Sequence, residues 1–150
     1  MKRIILILLA LLVFIPSSHA RVRIDLTDPN ADPLPVAISP FYAEEGQEAA
    51  AKIGSDIREV VVNDLLSSAL FDVADKKAYL QSPVSLKANG PVFSEWRLIN
   101  IEALLAGNIE MIEKDGIPRV KVEFRVFDVH GEKQLIGRRY TVDARYWRHL

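Results

Sequence analysis

The fold is decided by residues 103–129, which read ALLAGNIEMIEKDGIPRVKVEFRVFDV. From Arg119 onward, charged residues alternate with valine and phenylalanine, and this period of two predicts a strand with one buried face. Asp115-Gly116 lies between two apolar runs and can adopt the positive φ angles of a tight turn. The stretch therefore predicts an antiparallel hairpin of two long strands.

The sequence that follows this hairpin extends the same sheet. His130-Gly131 begins a second turn, and residues 135–142 predict a third strand that runs antiparallel to its predecessor. Beyond it, residues 144–150 (ARYWRHL) have a helix-compatible composition but no residue that would cap a helix end. We expect a helix that is interrupted in its second turn.

A long helix precedes the hairpin in the chain. Between Gln47 and Leu70, apolar residues recur at every fourth position and form one stripe, while polar residues lie off it. The stripe consists of Ile53, Ile57, Val61 and Leu65, with Val60 alongside. Apolar runs at residues 34–38 and 71–74 predict short strands before and after this amphipathic helix.

The remaining segments predict connections and one short helix. Residues 75–91 mix polar side chains with Pro83 and Asn89-Gly90-Pro91, which predicts a surface connection. Ser94 can cap a short helix around Trp96. Together the elements predict an α/β fold of the α+β kind, in which a mixed sheet with antiparallel C-terminal hairpins packs against two principal helices.

The N-terminus has the order of segments found in a secretory signal peptide. Two basic residues precede an apolar run at residues 4–15, and small residues follow as far as Ala20. A membrane span needs about 20 apolar residues, whereas this run ends after 12. We therefore expect cleavage between Ala20 and Arg21 and export of the remaining residues.

Composition excludes several classes of function. Residues 1–20 hold two of the 19 basic side chains and none of the 20 acidic ones, so residues 21–150 carry a formal charge of −3. This charge, without a long basic run, gives no electrostatic footprint for nucleic acid. No second apolar run predicts membrane insertion after cleavage. The chain has no cysteine, which excludes disulfides and thiolate metal sites.

No sequence pattern indicates catalysis, a cofactor or a metal ion. His130 and His149 lie at no metal-ligand spacing from another nitrogen ligand, and the chain has neither a Gly-x-Ser-x-Gly elbow nor a phosphate-binding glycine loop. Residues 28–32 (DPNAD) begin like a calcium loop, but Pro33 and Ser39 occupy the positions that need glycine and glutamate. We predict no catalytic, cofactor-binding or metal-binding residue.

Several separate patches resemble the N-terminal domain of the TolB family, a component of the Tol-Pal envelope system. No patch is decisive alone, but their order and spacing follow the family across residues 21–150. The patches are Arg21 to Leu26, Val36 to Phe41, Ile53 to Ile57, Asp64-Leu65, Ser68 to Phe71, Trp96, Ile101 to Gly107 and Val122 to Val129. Ala69 departs from the pattern, because the family often has glycine there.

The resemblance also implies a division of the chain into segments. Residues 1–20 would be the signal peptide, residues 21–33 a mobile TolA-binding segment and linker, and residues 34–150 the α/β domain. In the family this domain continues into a third helix, of which residues 145–150 would be the beginning, and then into a six-bladed β-propeller. The third helix is therefore expected to be cut off at the end of this sequence.

The resemblance implies two protein partners and no enzymatic activity. In the family the mature N-terminus engages the C-terminal domain of the inner-membrane protein TolA, and the propeller binds the lipoprotein Pal. The implied TolA-binding residues are Arg21, Val22, Arg23, Ile24, Asp25 and Leu26. The implied role is a periplasmic interaction module that couples TolA to Pal and the outer membrane during cell division. Pal binding is in doubt for this chain, because the propeller is not in the sequence.

The residues by themselves leave two alternatives open. The segment from Arg21 to Leu26 alternates charged and apolar residues, so it can also be an ordinary edge strand of its own domain. The domain can also be a periplasmic ligand-binding or enzymatic α/β domain that uses a cleft between helices and sheet. That alternative requires polar residues that converge in the cleft.

We predict that the protein isolated from the cell envelope begins at Arg21. The charged, apolar and small-residue segments occur in the order that signal peptidase requires, and the apolar run is too short to remain as an anchor. Mass spectrometry of the intact protein checks this directly. A mass that includes Met1 would show that the segment is retained.

Overall fold

The computed structural model describes residues 32–149. Their sheet has the strand order β2-β1-β3-β4-β5, in which β1 is parallel to both its neighbours and the last three strands are antiparallel. The strands are β1 (Leu34–Ile38), β2 (Phe71–Val73), β3 (Ala103–Lys114), β4 (Ile117–Asp128) and β5 (Lys133–Asp143). The helices are α1 (Glu48–Ser67), α2 (Pro83–Asn89) and α3 (Phe93–Leu98), with 3-10 turns at Lys76–Ala78 and Ala144–His149. The predicted mixed α+β fold is confirmed.

The β3–β4 hairpin forms as the sequence predicts. Lys114 pairs with Ile117 across the turn, and Asp115 and Gly116 have φ angles of 58° and 71°. Both turn residues are thus in the left-handed region that a two-residue hairpin turn requires. The predicted third strand is also present as β5, which pairs with β4 and is interrupted by a register shift at Val126/Phe127.

The long helix is confirmed, but its closest contact with the sheet is not on the predicted stripe. Ala50 and Gly54 are buried, whereas Ile53 and Ile57 are half-buried and Val60 is exposed. Ala50 and Gly54 have a methyl group and a hydrogen atom as side chains, so the helix axis can approach the sheet most closely there. These two residues are therefore the most buried of α1. Downstream of α1, Ala69 has a φ angle of 57°, a conformation that favours glycine.

Phe41 fills the space between α1 and the sheet. A Cβ atom on Gly54 would lie 3.1 Å from the Phe41 Cβ and 3.0 Å from Ile109 Cγ2, and a Cβ atom on Gly107 would overlap the Phe41 ring. The segment that carries this ring is fixed to β3, since the Tyr42 amide donates to the Gly107 carbonyl at 2.9 Å. The strand glycine therefore makes room for the aromatic ring, and the helix glycine lets α1 approach the Phe41 Cβ.

The connection between β2 and β3 contains more structure than the sequence indicates. Residues 75–91, predicted as a surface connection, include α2, because Ser82 caps it by accepting from the Ser85 amide and Pro83 stands in its first turn. Ser94, predicted as a cap, lies inside α3, which begins after Val92.

A buried amide joins the two short helices. Gln81 Nε2 donates to the Gly90 carbonyl at 2.7 Å, and its Oε1 accepts from the Val92 amide at 2.9 Å and from Trp96 Nε1 at 3.0 Å. Because buried polar groups are costly unless they are paired, this set of bonds fixes α2 against α3. The helices cover a core cluster on the face of the sheet opposite to α1. Its buried members are Ala37, Leu86, Trp96, Ile101, Leu104, Phe127 and Val129.

The C-terminal residues form two 3-10 turns rather than a continuous helix. The backbone is kinked at Tyr146, which has φ −116° and ψ 22°. Trp147 is half-buried and packs with Val142 against the cluster beneath α1. The sequence predicts the beginning of a helix in this segment, and the structure has 3-10 turns in its place. Among the described residues, no helix is both long enough and apolar enough to span a membrane.

We predict that Gly107→Ala lowers the free energy of unfolding by about 1–3 kcal/mol, the usual cost of overpacking a core. The added methyl group meets the Phe41 ring and also the Glu123 carbonyl oxygen at 3.0 Å. Urea denaturation measures the change. The matched control is Gly137→Ala on β5, whose methyl group meets only the flexible amide of Gln134 and the Arg125 side chain. Equal stability of the two variants would show that Phe41 moves aside freely.

Candidate docking surfaces

The residues predicted to bind TolA lie outside the described part of the chain. This applies to the whole segment from Arg21 to Leu26, to the predicted cleavage position at Ala20, and to residues 28–31 of the calcium-like sequence. The structure therefore neither supports nor contradicts their assigned roles. The surfaces that can be described belong to the folded domain that follows them.

Residues 32–149 bring together no group of three or more histidine, aspartate or glutamate side chains that could hold a metal ion. His130 is exposed in the turn between β4 and β5. A hydrogen bond from the Arg145 side chain, reinforced by the Arg145 backbone amide, lowers the pKa of Asp143 to about 2. This shift arises in an ion pair on the surface, not in a cleft.

An apolar groove runs between α1 and the open side of the sheet. It begins as a cavity of about 170 Å³, which adjoins a second cavity of about 350 Å³ near the C-terminus. The first is lined by Phe41, Ile57, Val61, Leu105, Val122, Phe124 and Tyr140, and the second by Ile57, Val60, Val61, Asp64, Trp147 and Arg148. We refer to these lining residues together as the α1–β5 groove. Its chemistry suits an apolar side chain or an amphipathic segment.

The sheet is wider than the helix that covers it, and this produces the groove. Residues of β4 and β5 with side chains on the α1 face include Phe124 and Tyr140, whose rings stack with centroids 6.1 Å apart. Tyr140 is 40% exposed and Ile136, on the same face, is 46% exposed. Exposed apolar area that is contiguous and flanked by polar residues marks a contact surface on many proteins.

The opposite face of β4 and β5 carries an ion-pair cluster instead. Glu123 accepts from Arg125 at 2.6 Å and from both Nε and Nη2 of Arg139, at 3.0 and 2.7 Å. The hydrogen bond from the Arg139 side chain is the main reason that the pKa of Glu123 is lowered. Two guanidinium groups thus share one carboxylate, and this Glu123 cluster has an excess of positive charge.

Comparison with known proteins identifies the family. The model of the TolB amino-terminal domain matches residues 22–135. The chain belongs to this family. It is 40% identical over 146 residues to the Tol-Pal system protein TolB of Paramagnetospirillum magneticum, and 34% identical over 153 residues to that of Pelagibacter ubique. These alignments cover 97% and 95% of this chain but only 31% and 33% of the relatives, so the chain spans about a third of their length.

Solved structures agree on the fold. The crystal structure of TolB from Acinetobacter baumannii superposes with a TM-score of 0.56 at 20% identity, over 77% of this chain and 25% of the other. The hypothetical protein CT253 from Chlamydia trachomatis gives a TM-score of 0.52, also at 20% identity, over 73% of this chain and 71% of its own. At this level of identity the similarity establishes the architecture alone.

Sequence reasoning missed the residues that position these surfaces. The sequence singles out Phe41 only as part of a family patch and gives no signal for Gln81, although both hold elements of the domain together. Gly54 and Gly107 were the available signals for Phe41, because an isolated glycine within a helix or a strand often marks a close approach of backbones. Nothing near Gln81 in the sequence indicates which donors and acceptors it meets.

Proposed function

We propose that this chain is a periplasmic component of the Tol-Pal system that acts through protein–protein contacts and not as an enzyme. The observation that carries the proposal is its 40% identity, over 97% of its length, to a Tol-Pal system protein. The module would couple TolA in the inner membrane to Pal and the outer membrane, and would support outer-membrane invagination and integrity during cell division. The signal peptide would direct export and would be removed by cleavage after Ala20.

The lining of the α1–β5 groove favours a contact function over catalysis. The α1–β5 groove is lined mostly by apolar side chains, and Asp64 and Arg148 are its charged members. Polar groups that converge on one point, which a ligand-binding or enzymatic cleft requires, are lacking among the residues that line it. Pal binding would depend on a propeller that follows this domain in the family, so we assign no Pal contact to residues 1–150.

The proposed TolA contact is strand addition by residues 21–26. Val22, Ile24 and Leu26 alternate with charged residues, so in an extended conformation they share one face. Main-chain hydrogen bonds to an exposed sheet edge would supply affinity, and the apolar face would set the register. Ordering a free segment costs about 1–2 kcal/mol for each backbone residue that becomes fixed. The contact should therefore be weak and reversible.

A peptide that covers residues 21–32 should bind the C-terminal domain of TolA. Ile24→Asp should abolish binding, since it places a carboxylate at the centre of the apolar face. Thr27→Asp is the matched control, because it adds the same charge beyond that face. Isothermal calorimetry and NMR titration measure the affinity. Unchanged binding of the Ile24→Asp peptide, or none by the parent peptide at millimolar concentration, would contradict strand addition by this segment.

The family resemblance also suggests an occupant for the α1–β5 groove, and we propose that it is the third helix. Trp147 and Arg148 already line the wider cavity, and residues 144–149 form helical turns at its mouth. A helix continued from there would cover apolar side chains of α1 and β5. Burial of apolar surface stabilises by about 25 cal/mol for each Å² removed from water.

Appending the residues that follow this domain in the Paramagnetospirillum relative should raise the melting temperature. The extension should also reduce self-association, because it covers apolar surface and exposed apolar patches favour association. Without the extension, residues 144–149 should fray, since helices shorter than about 12–15 residues are marginal in water. Calorimetry and light scattering compare the two forms. An extension with Asp at the groove-facing apolar positions is the control, and equal melting temperatures for all three forms would exclude this use of the groove.

A further inference from the structure

The outer side of β5 carries no strand in the described part of the chain. β5 is the terminal strand in the order β2-β1-β3-β4-β5 and runs for 11 residues, most of them exposed. A long edge strand presents unpaired backbone amides and carbonyls to solvent. This edge is separate from the α1–β5 groove, which lies on one face of the sheet.

Gly137 opens a gap in β5 directly beside this edge. It pairs with Arg125 of β4, and a Cβ atom placed on it would lie 2.7 Å from Gln134 Nε2 and 3.9 Å from Arg125 Cγ. The gap forms part of a shallow cavity of about 210 Å³ lined by Glu123, Phe124, Arg125, Gly137, Arg138 and Arg139. Because residue 137 has no side chain, a group that approaches from the edge and displaces the flexible Gln134 amide can reach the guanidinium of Arg125.

The charge around the gap is positive. Arg125 and Arg139 share the single carboxylate of Glu123, and their side chains remain 52% and 64% exposed. Arg138 donates to the Gly137 carbonyl at 3.0 Å and forms no ion pair within the described residues. Two guanidinium groups therefore face one carboxylate on this side of the sheet, and Arg138, which pairs with Phe124, adds a third positive charge at the same strand edge from the α1 side.

We infer that β5 is a second docking edge, which receives an extended acidic segment of a partner protein as a sixth strand. A carboxylate of that segment, placed opposite Gly137, meets Arg125 and Arg139. Adjacent strands lie about 4.7–4.9 Å apart, so the new strand is roughly 10 Å from β4, a distance that an arginine and a glutamate side chain span together. Hydrogen bonds between ionised groups are stronger than neutral ones, so the carboxylate selects the partner.

A second copy of this chain fits the edge poorly. Antiparallel pairing of β5 with β5 centred on Arg138 or on Arg139 brings that arginine of one copy directly opposite the same arginine of the other. Like charges directly across a strand pair are destabilising, and charged side chains on edge strands commonly prevent self-association. An acidic strand replaces this repulsion with attraction, which is why the occupant we assign is a partner and not a second copy.

The test uses a terminally blocked nine-residue peptide in which valine alternates with threonine and one central threonine position carries glutamate. The twin peptide has glutamine at that position. NMR titration of the full 150-residue chain should move the amide signals of residues 133–143 with the glutamate peptide, and the glutamine twin should bind about tenfold more weakly. Perturbations confined to another strand or to the groove would overturn the assignment, as would equal affinity of the two peptides.

Variants of the chain separate charge from shape. Arg139→Gln should weaken binding of the glutamate peptide about tenfold and leave the affinity for the glutamine twin unchanged. Gly137→Leu should weaken binding of both peptides, because its side chain fills the gap. Lys52→Gln is the control, since it removes one charge from an exposed residue of α1, and it should change neither affinity. Melting curves verify that each variant folds.

Two further outcomes count against the inference. Light scattering that shows a dimer lost in Arg139→Glu would identify a second copy as the occupant of the edge. Binding of the glutamate peptide that survives both Arg125→Gln and Arg139→Gln would show that the Glu123 cluster does not select the carboxylate. The TolA contact of residues 21–26 can fail or succeed independently, because none of these residues takes part in the titration.

Discussion

The packing of Phe41 between α1 and the sheet is the constraint on which the domain depends. The ring occupies the space that Gly107 leaves open, and Gly54 lets α1 approach the Phe41 Cβ and Ile109 closely. The same segment extends the sheet pairing past Pro40, through the Tyr42–Asn108 bridge. Without this ring, no side chain would set the distance between α1 and β3. The cluster of Ala50, Ile109 and Val122, against which Phe41 packs, would become more exposed to solvent.

The two faces of the hairpin strands differ in chemistry because side chains alternate along a strand. On the α1 face, Val120, Val122 and Phe124 continue the core beyond the reach of the helix, which leaves the α1–β5 groove open. On the other face, Lys121, Glu123 and Arg125 remain in water and pair with charged neighbours. One face thus offers apolar contact and the other offers charge, and the strand edge between them has access to both.

Rigidity in the irregular part of the domain comes from a few half-buried polar side chains. Tyr79 Oη accepts from the Ile38 amide and donates to the Ala74 carbonyl, both at 3.0 Å. Arg58 Nε donates to the Ile38 carbonyl at 2.7 Å, so the end of β1 is held by residues from α1 and from the connection. Removal of either partner leaves a polar group without a hydrogen bond and lowers the stability of the fold. The connection therefore behaves as part of the core. A rigid support of this kind suits the contact function that we propose.

The sequence by itself determined the elements whose signals are local. Alternation over residues 119–126, the Asp115-Gly116 turn and the four-residue repeat of α1 each depend on a few neighbouring residues, and all three predictions are confirmed. The family patches are also short runs of neighbouring residues, and the resemblance that they indicate is confirmed. Tertiary structure alone decided that Phe41 meets two glycines, that Gln81 joins α2 to α3, and that Gly137 opens a gap beside Arg125. Those contacts join residues that are distant in the chain, and no local pattern specifies which side chains the packing of a sheet against helices brings together.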